Sequence, residues 1–375
     1  MPTDKTTMTI DMTRTMAPEV PMFRECIERG LAMLARDPDL AETILRHRFH
    51  GTARDKQAAA NWLEHRLGAA PNPDRLLITG GTQNTLMILF SRLVPKGAVI
   101  GAEKLTYAAI GQLAMLNRTT VLPIDVDEDG LREDSLEAMC KAHKVAAVYI
   151  NPTGHNPTTS IMSVERRQRV AEVARKYAVP IIEDDVHGHI TKNAPPPIAS
   201  IAPELTWYMM SVSKCMGIGL RTAYLVAPSE ASLADLVRPI PSISAWFVTG
   251  ISAAVITHLI ESGAASEIAG QISDEIAARQ AIAQEMLGHL GVMHTNRSSL
   301  HIWLDLPPNR TIEAFIQTAA SNGVALRHPR VFAIPGTEIE SNVRVSLIAP
   351  STHEDLRQGL KVLADLLIGR AKFQA

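Results

Sequence analysis

Ser211-Val212-Ser213-Lys214-Cys215-Met216-Gly217-Ile218-Gly219-Leu220-Arg221 closes an apolar strand expected over Thr206–Val212 and then turns through two glycines. A lysine just past a hydroxyl-flanked strand end can form a Schiff base with an aldehyde cofactor. The serine hydroxyls, with the arginine seven positions later, can hold a phosphate. This combination suggests pyridoxal phosphate. A solvated surface loop has the same composition, so the surrounding chain must decide between them.

Outward from that stretch, β-rich runs alternate with helical ones. Strands are expected over Arg75–Thr79, Ala98–Gly101, Thr119–Pro123, Val145–Ile150, Pro180–Glu183 and Thr222–Ala227, and helices over Gln83–Val94, Ala108–Leu116, Glu133–Lys141 and Ser163–Tyr177. Val145–Ile150 is continuously apolar, as in a strand buried on both faces. Ser163 reads as an N-cap, with Arg166, Arg167 and Arg169 on the wet side of its helix. The alternation predicts an α/β fold with a mostly parallel sheet covered on both faces. Ligands bind such sheets outside the carboxyl ends of the strands.

After about Ala253 the texture changes. Helices over Glu267–Leu290, Thr311–Asn322 and His353–Ile368 and strands over Ser299–Leu306 and Val343–Leu347 predict a smaller α+β domain. Before a helix at Met22–Arg36 the chain has little periodicity, which predicts an arm joining the small domain or a partner. The expected division is residues 1–45 as arm and part of the small domain, 46–255 as a large cofactor-binding domain, and 256–375 as the small domain.

Composition narrows the function classes. The 375 residues are 46% hydrophobic and 20% charged, enough for more than one core, and the net charge of −2 with scattered basic residues does not predict nucleic-acid binding. Cys26, Cys140 and Cys215 have neither disulfide nor metal-ligand spacing, which fits reduced thiols in a cytoplasm. Cys215 reads as a packing residue. Asp4, Lys5, Asp11 and Arg14 exclude a signal-peptide pattern at the N-terminus. Pro239–Ile260 is uncharged but carries Ser242, Ser244, Thr249, Thr257 and His258, so a buried helix at a domain junction is expected rather than a membrane span.

The expected strand ends carry polar residues suited to one cofactor. Gly80-Gly81-Thr82-Gln83 is a glycine turn feeding a helix N-terminus, where backbone N–H groups and the helix dipole attract an anion. A simple βα turn would look the same. Tyr107 is placed to lie against a pyridine ring or to pack in the core. In Asn151-Pro152-Thr153-Gly154-His155-Asn156-Pro157-Thr158 an asparagine can donate to a phenolic oxygen, although turn chemistry alone also selects Asn-Pro. Ile182-Glu183-Asp184-Asp185 delivers adjacent carboxylates, one of which could keep a ring nitrogen protonated. Metal binding with His187 or His189 is the competing reading, but no further ligand has a clear spacing, and no metal is expected.

The ordered set Gly81-Thr82-Gln83, Tyr107, Asn156-Pro157-Thr158, Asp184, Ser211-x-Ser213-Lys214 and Arg221 resembles the fold-type I pyridoxal-phosphate aminotransferases. It is most similar to the branch shared by aminoadipate and kynurenine aminotransferases and MocR-type regulators, over roughly Asp11 to the C-terminus. Ser299–Pro307 and Asn342-Val343-Arg344-Val345-Ser346 resemble small-domain segments of that family. The resemblance implies an aspartate-aminotransferase-like fold, with a mixed, mostly parallel seven-stranded sheet and a smaller α+β domain. It also implies pyridoxal 5'-phosphate as cofactor, amino acid and 2-oxo acid substrates, and a homodimer with its active site at the subunit interface.

Residue by residue, the resemblance implies Lys214 as Schiff-base lysine and proton shuttle, Asp184 as partner of the ring nitrogen, Asn156 as partner of the 3'-oxygen and Tyr107 as the stacking residue. Gly81, Thr82, Gln83, Ser211, Ser213 and Arg221 would hold the phosphate, and Arg344, with Asn156 beside it, the substrate α-carboxylate. Three positions depart from the family. Val186 and His187 stand where a tyrosine commonly reaches the 3'-oxygen, leaving His187 as a substitute; Arg46-His47-Arg48-Phe49-His50 replaces a tyrosine-containing segment before Gly51; and Thr159 replaces a glycine. These leave the substrate open. They also leave a β-lyase, decarboxylase or oxidase on the same fold. A metabolite-sensing regulatory domain is a further alternative, less expected because only a short arm precedes the motifs.

Overall fold

Seven strands form the central sheet, in the spatial order Leu76–Thr79, Ala223–Val226, Thr206–Ser211, Ile181–Asp184, Val145–Ile150, Val99–Glu103 and Thr120–Ile124. The computed structural model describes residues 9–46, 50–238, 248–308 and 310–369. Ala223–Val226 is antiparallel to both neighbours and every other pairing in this sheet is parallel, the mixed sheet that the resemblance implies. Strand positions alternate between two faces. Leu77, Ile100, Ala147, Ile182 and Met209 pack with the helices Thr82–Leu93, Ala109–Leu116 and Glu230–Val237. On the opposite face, Val148, Ile150 and Ile181 meet Glu133–Ala142 and Val164–Tyr177, while Leu76, Ile78, Tyr208 and Met210 meet Ala53–Leu67 and Gly250–Glu261.

Ser163 caps its helix as expected, accepting from the Arg166 amide at 3.2 Å. Arg167, however, is not on the wet side. It is fully buried, because Arg167, Val170, Ala171 and Ala174 form one stripe at helical spacing. Its guanidinium donates to the Met162 and Pro152 carbonyls, each at 2.9 Å, and to the Thr153 hydroxyl at 3.1 Å. It therefore braces the loop that follows Val145–Ile150.

The antiparallel strands Met293–His294, His301–Asp305 and Asn342–Ser346 form a second sheet, accompanied by the helices Ala264–Leu287, Ile312–Ser321 and His353–Leu367. The arm joins this part of the chain. Ile10–Asp11 pairs in parallel with Val324–Ala325, and the Ser346 amide donates to the Met12 carbonyl at 2.9 Å. The expected division at residue 255 falls inside helix Gly250–Glu261, whose buried face runs from Ala253 to Leu259. Among the described residues no helix is long and apolar enough to cross a membrane. Residues 239–247 of the uncharged segment lie outside the described residues.

Candidate active site

The carboxyl ends of the parallel strands open on a cavity of about 140 Å³. At one end, Gly81 adopts φ +99° and is the N-cap of the helix Thr82–Leu93, with no side chain capping the first amides. A Cβ there would be strained by that φ and would face the Arg221 guanidinium at 3.6 Å. Open amides and an arginine thus face one another. Ser211 donates its hydroxyl proton to the Thr222 carbonyl at 3.2 Å and accepts from the Ser213 amide at 3.2 Å, which fixes the turn. Gly81, Thr82, Gln83, Ser211, Ser213 and Arg221 all line this end, an arrangement suited to a phosphate.

Asp184 lies across the cavity and is buried. Its carboxylate accepts from the Tyr149 hydroxyl at 2.8 Å and the Val186 amide at 3.2 Å, and no cationic side chain pairs with it among the described residues. Burial pushes it up to about 7, against the opposing hydrogen bond from Tyr149. Asp185 faces the other way. Arg66 donates to both of its oxygens, at 2.9 and 3.2 Å, Tyr208 donates at 2.9 Å, and the arginine holds the carboxylate below its usual range despite burial.

The Lys214 amine is buried in the same cavity and donates to the carbonyl of Thr15 on the arm. Burial, followed by the nearby charge of Arg344, lowers it to about 8. His187 donates from Nδ1 to the Gly154 carbonyl at 2.7 Å, and burial holds its ring down to about 4. The ring is therefore neutral, and Nε2 offers a lone pair rather than a proton. Tyr107 accepts from Gln83 Nε2 at 2.9 Å and forms part of the wall.

Both asparagines of the loop line the cavity, with different partners. Asn151 donates from its side chain to the Asp184 carbonyl at 2.6 Å and accepts from the Asn156 amide at 3.1 Å, so it braces the turn. Asn156, which precedes a cis peptide to Pro157, accepts from Arg344 Nη1 at 2.8 Å. The buried Arg344 also donates to the Thr13 carbonyl, and its guanidinium lies over the Phe332 ring at 4.6 Å.

All the expected positions except Arg344 line one cavity, Arg344 touching it through Asn156, and Tyr149 and Thr15 line it as well. Tyr149 sits beside Asp184 only because Val145–Ile150 and Ile181–Asp184 are neighbours in the sheet. A tyrosine near a strand end was its one sequence signal, whereas Thr15 had none. Arg46 is highly exposed, lies 3.8 Å from Glu42 and does not line the cavity; Arg48 lies outside the described residues. Thr159 takes φ +70°, in the left-handed region that favours glycine. His189 is engaged with Trp62, through the carbonyl at 3.0 Å and a ring stack at 4.4 Å, and no metal-type cluster of three ligands occurs among the described residues.

The family model for aminotransferase class I and II matches residues 45–363. The chain belongs to this aminotransferase family. It is 31% identical over 322 residues to an HTH-type transcriptional regulator, YdeF, of Bacillus subtilis, covering 83% of this chain and 67% of that one. It is 24% identical to a 2-aminoadipate transaminase of Thermus thermophilus, covering 94% and 88% of the two chains. A kynurenine aminotransferase structure from Pyrococcus horikoshii shares the fold, with a TM-score of 0.87 at 21% identity, over 98% of this chain and 93% of that one. The chain spans about two thirds or less of the length of the regulators it matches.

Pyridoxal 5'-phosphate is the cofactor of this aminotransferase family, and the residues present fit it. An uncapped helix start faces Arg221 at the Gly81 cradle, a buried carboxylate without a cation stands at Asp184, and a buried amine stands at Lys214.

Proposed function

We propose that this aminotransferase moves an amino group between an α-amino acid and a 2-oxo acid in a ping-pong cycle, with pyridoxal 5'-phosphate joined to Lys214 as a Schiff base. The observation that carries this reading is the pairing, in one cavity, of a lysine amine lowered to about 8 with a buried carboxylate that has no cationic partner among the described residues. When bound, the cofactor supplies an electron sink for the electron pair left at the substrate's α-carbon.

The chain's residues supply the rest. Thr82, Gln83, Ser211, Ser213 and Arg221 would hold the phosphate, and Tyr107 would pack on the ring. Asp184, its carboxylate oriented by the Tyr149 hydroxyl, would keep the ring nitrogen protonated. Lys214 Nζ, when neutral, would take the α-proton of the substrate and return it to the product. A lysine near 8 has a substantial neutral fraction at neutral pH, which suits a base. Arg344 would grip the α-carboxylate, and Asn156, held by Asn151, fixes the guanidinium and would be the partner of the 3'-oxygen. His187 enters as an acceptor beside Lys214. The divisions at residues 45 and 255, and a homodimer that completes the site, belong to this proposal.

Half-reactions of the reconstituted protein with a panel of amino acids, followed by cofactor absorbance, test it. Conversion to the amine form with stoichiometric 2-oxo acid is expected. Ammonia release without that conversion would instead indicate a lyase or oxidase. The similarity to YdeF favours a second reading, a regulatory domain that binds cofactor and amino acid without turnover. Ligand binding without any half-reaction, together with sequence-specific DNA retardation at moderate salt, would favour that reading.

A further inference from the structure

Arg327 stands directly opposite Arg344 in an isolated antiparallel bridge. Residues so paired point their side chains to one side, with Cβ atoms about 4.5–5.5 Å apart, and like charges opposite one another are destabilising. The repulsion contributes, after burial, to lowering Arg344. The acids near this edge are engaged elsewhere: Glu313 with His328 at 3.1 Å and Glu340 with Lys104 at 3.5 Å. Among the described residues no carboxylate pairs with Arg327, which is exposed.

The surroundings direct this free cation toward the site. Arg327 lines a second cavity with Gln112, Phe332 and Tyr107, and Tyr107 is also a wall of the cofactor cavity. Phe332 carries the Arg344 guanidinium on its ring. Tyr107 thus links the Arg327 cavity to the cofactor cavity, and Phe332 links it to Arg344.

We propose that Arg327 is a specificity-determining residue that binds the side-chain carboxylate of a dicarboxylic amino acid or 2-oxo diacid. This rests on the transaminase reading only in assigning the α-carboxylate to Arg344. The two arginines then share two carboxylates, and the substrate removes the repulsion between them.

The test measures binding of glutarate and butyrate to the holoenzyme by calorimetry, alongside half-reactions with glutamate and leucine. In the wild type glutarate should bind more tightly than butyrate. Arg327→Gln should weaken glutarate and slow glutamate roughly 10- to 100-fold, as expected for loss of a charge-assisted contact, and change butyrate and leucine less than about 3-fold. Arg327→Lys should recover part of the glutarate preference. Equal losses for mono- and dicarboxylates, or a wild type without preference for glutarate, would overturn the assignment. A glutarate preference that disappears in Arg327→Gln, in a protein that transaminates nothing, would support Arg327 and defeat the transaminase reading instead.

Discussion

Asp184 and Asp185 are neighbours in the chain, yet they face two differently built sides of the turn that follows Ile181–Asp184. On the outer side, Asp185 is gripped by Arg66 and Tyr208, and His189 stacks on Trp62. On the cavity side, Asp184 has one hydroxyl and one amide, His187 is neutral, and the Lys214 amine reaches only a backbone carbonyl. Burial is similar on the two sides; pairing is not. The outer side uses its charges to hold the turn to helix Ala53–Leu67, and the cavity side leaves its charges for a ligand to complete. Unpaired buried charge destabilises a ligand-free fold, so an arrangement of this kind is what a binding site retains at the expense of stability.

Removing the cavity-side amine should have the largest effect. Lys214→Ala should lose the visible band of the lysine-linked cofactor and slow amino transfer by about 10⁴-fold or more, the upper range for a positioned proton-transfer group. A variant that keeps the band would break the cavity-side assignment. Next, Asp184→Asn should retain the fold while half-reaction rates fall roughly 10²- to 10³-fold, the scale of a preorganised electrostatic contact. Stopped-flow absorbance measures this, and near-normal rates would mean that the carboxylate does not tune the cofactor.

Asp185→Asn should do the reverse. It leaves the Arg66 guanidinium buried beside a neutral partner, so urea denaturation should show a loss of about 3–5 kcal/mol while the cofactor spectrum of the folded fraction stays unchanged. If this variant instead altered the spectrum at full stability, the division between the two sides would fail.

The finest test is the pH slope of the cofactor-free protein. Asp184 is raised when folded, so its contribution is fully present below about pH 4, the unfolded value, and is lost as pH rises toward 7. Asp185 is lowered when folded, so its contribution is present above the unfolded value and is lost as pH falls through the acid range. The stability difference between wild type and Asp184→Asn should therefore shrink or reverse between pH 4 and 7, and that for Asp185→Asn should grow from low pH upward. The Asp185 charge also acts on Glu183, His187 and His189, so the Asp185→Asn slope reads that buried cluster together. Parallel slopes would show that the two carboxylates share one environment.

Much of this architecture was legible in the residue order. The expected strands from Arg75 to Ala227 fall within two residues of those observed, because β-rich runs bounded by turn residues carry a local signal. Helix Ala53–Leu67 had no such signal. Its buried positions include three alanines and Arg66, and its capping box of Thr52 and Asp55 lies in a polar stretch. Arg167 was misplaced for the same reason: charge argues for solvent, and only the packed loop supplies the carbonyls that satisfy a buried guanidinium.

The sequence alone determined the alternating fold and which polar residues stand at the strand ends, including the lysine, the carboxylate and the glycine turn, because strand period and glycine turns are local properties. Which neighbour each polar group meets was decided by tertiary structure. Asp184 and Asp185 have the same side chain, and tertiary packing, which buries Asp184 without a cation and sets Arg66 of helix Ala53–Leu67 against Asp185, gives their opposite shifts. The same holds for Thr15 at Lys214 and Arg327 opposite Arg344, since electrostatics depends on distance in space rather than along the chain.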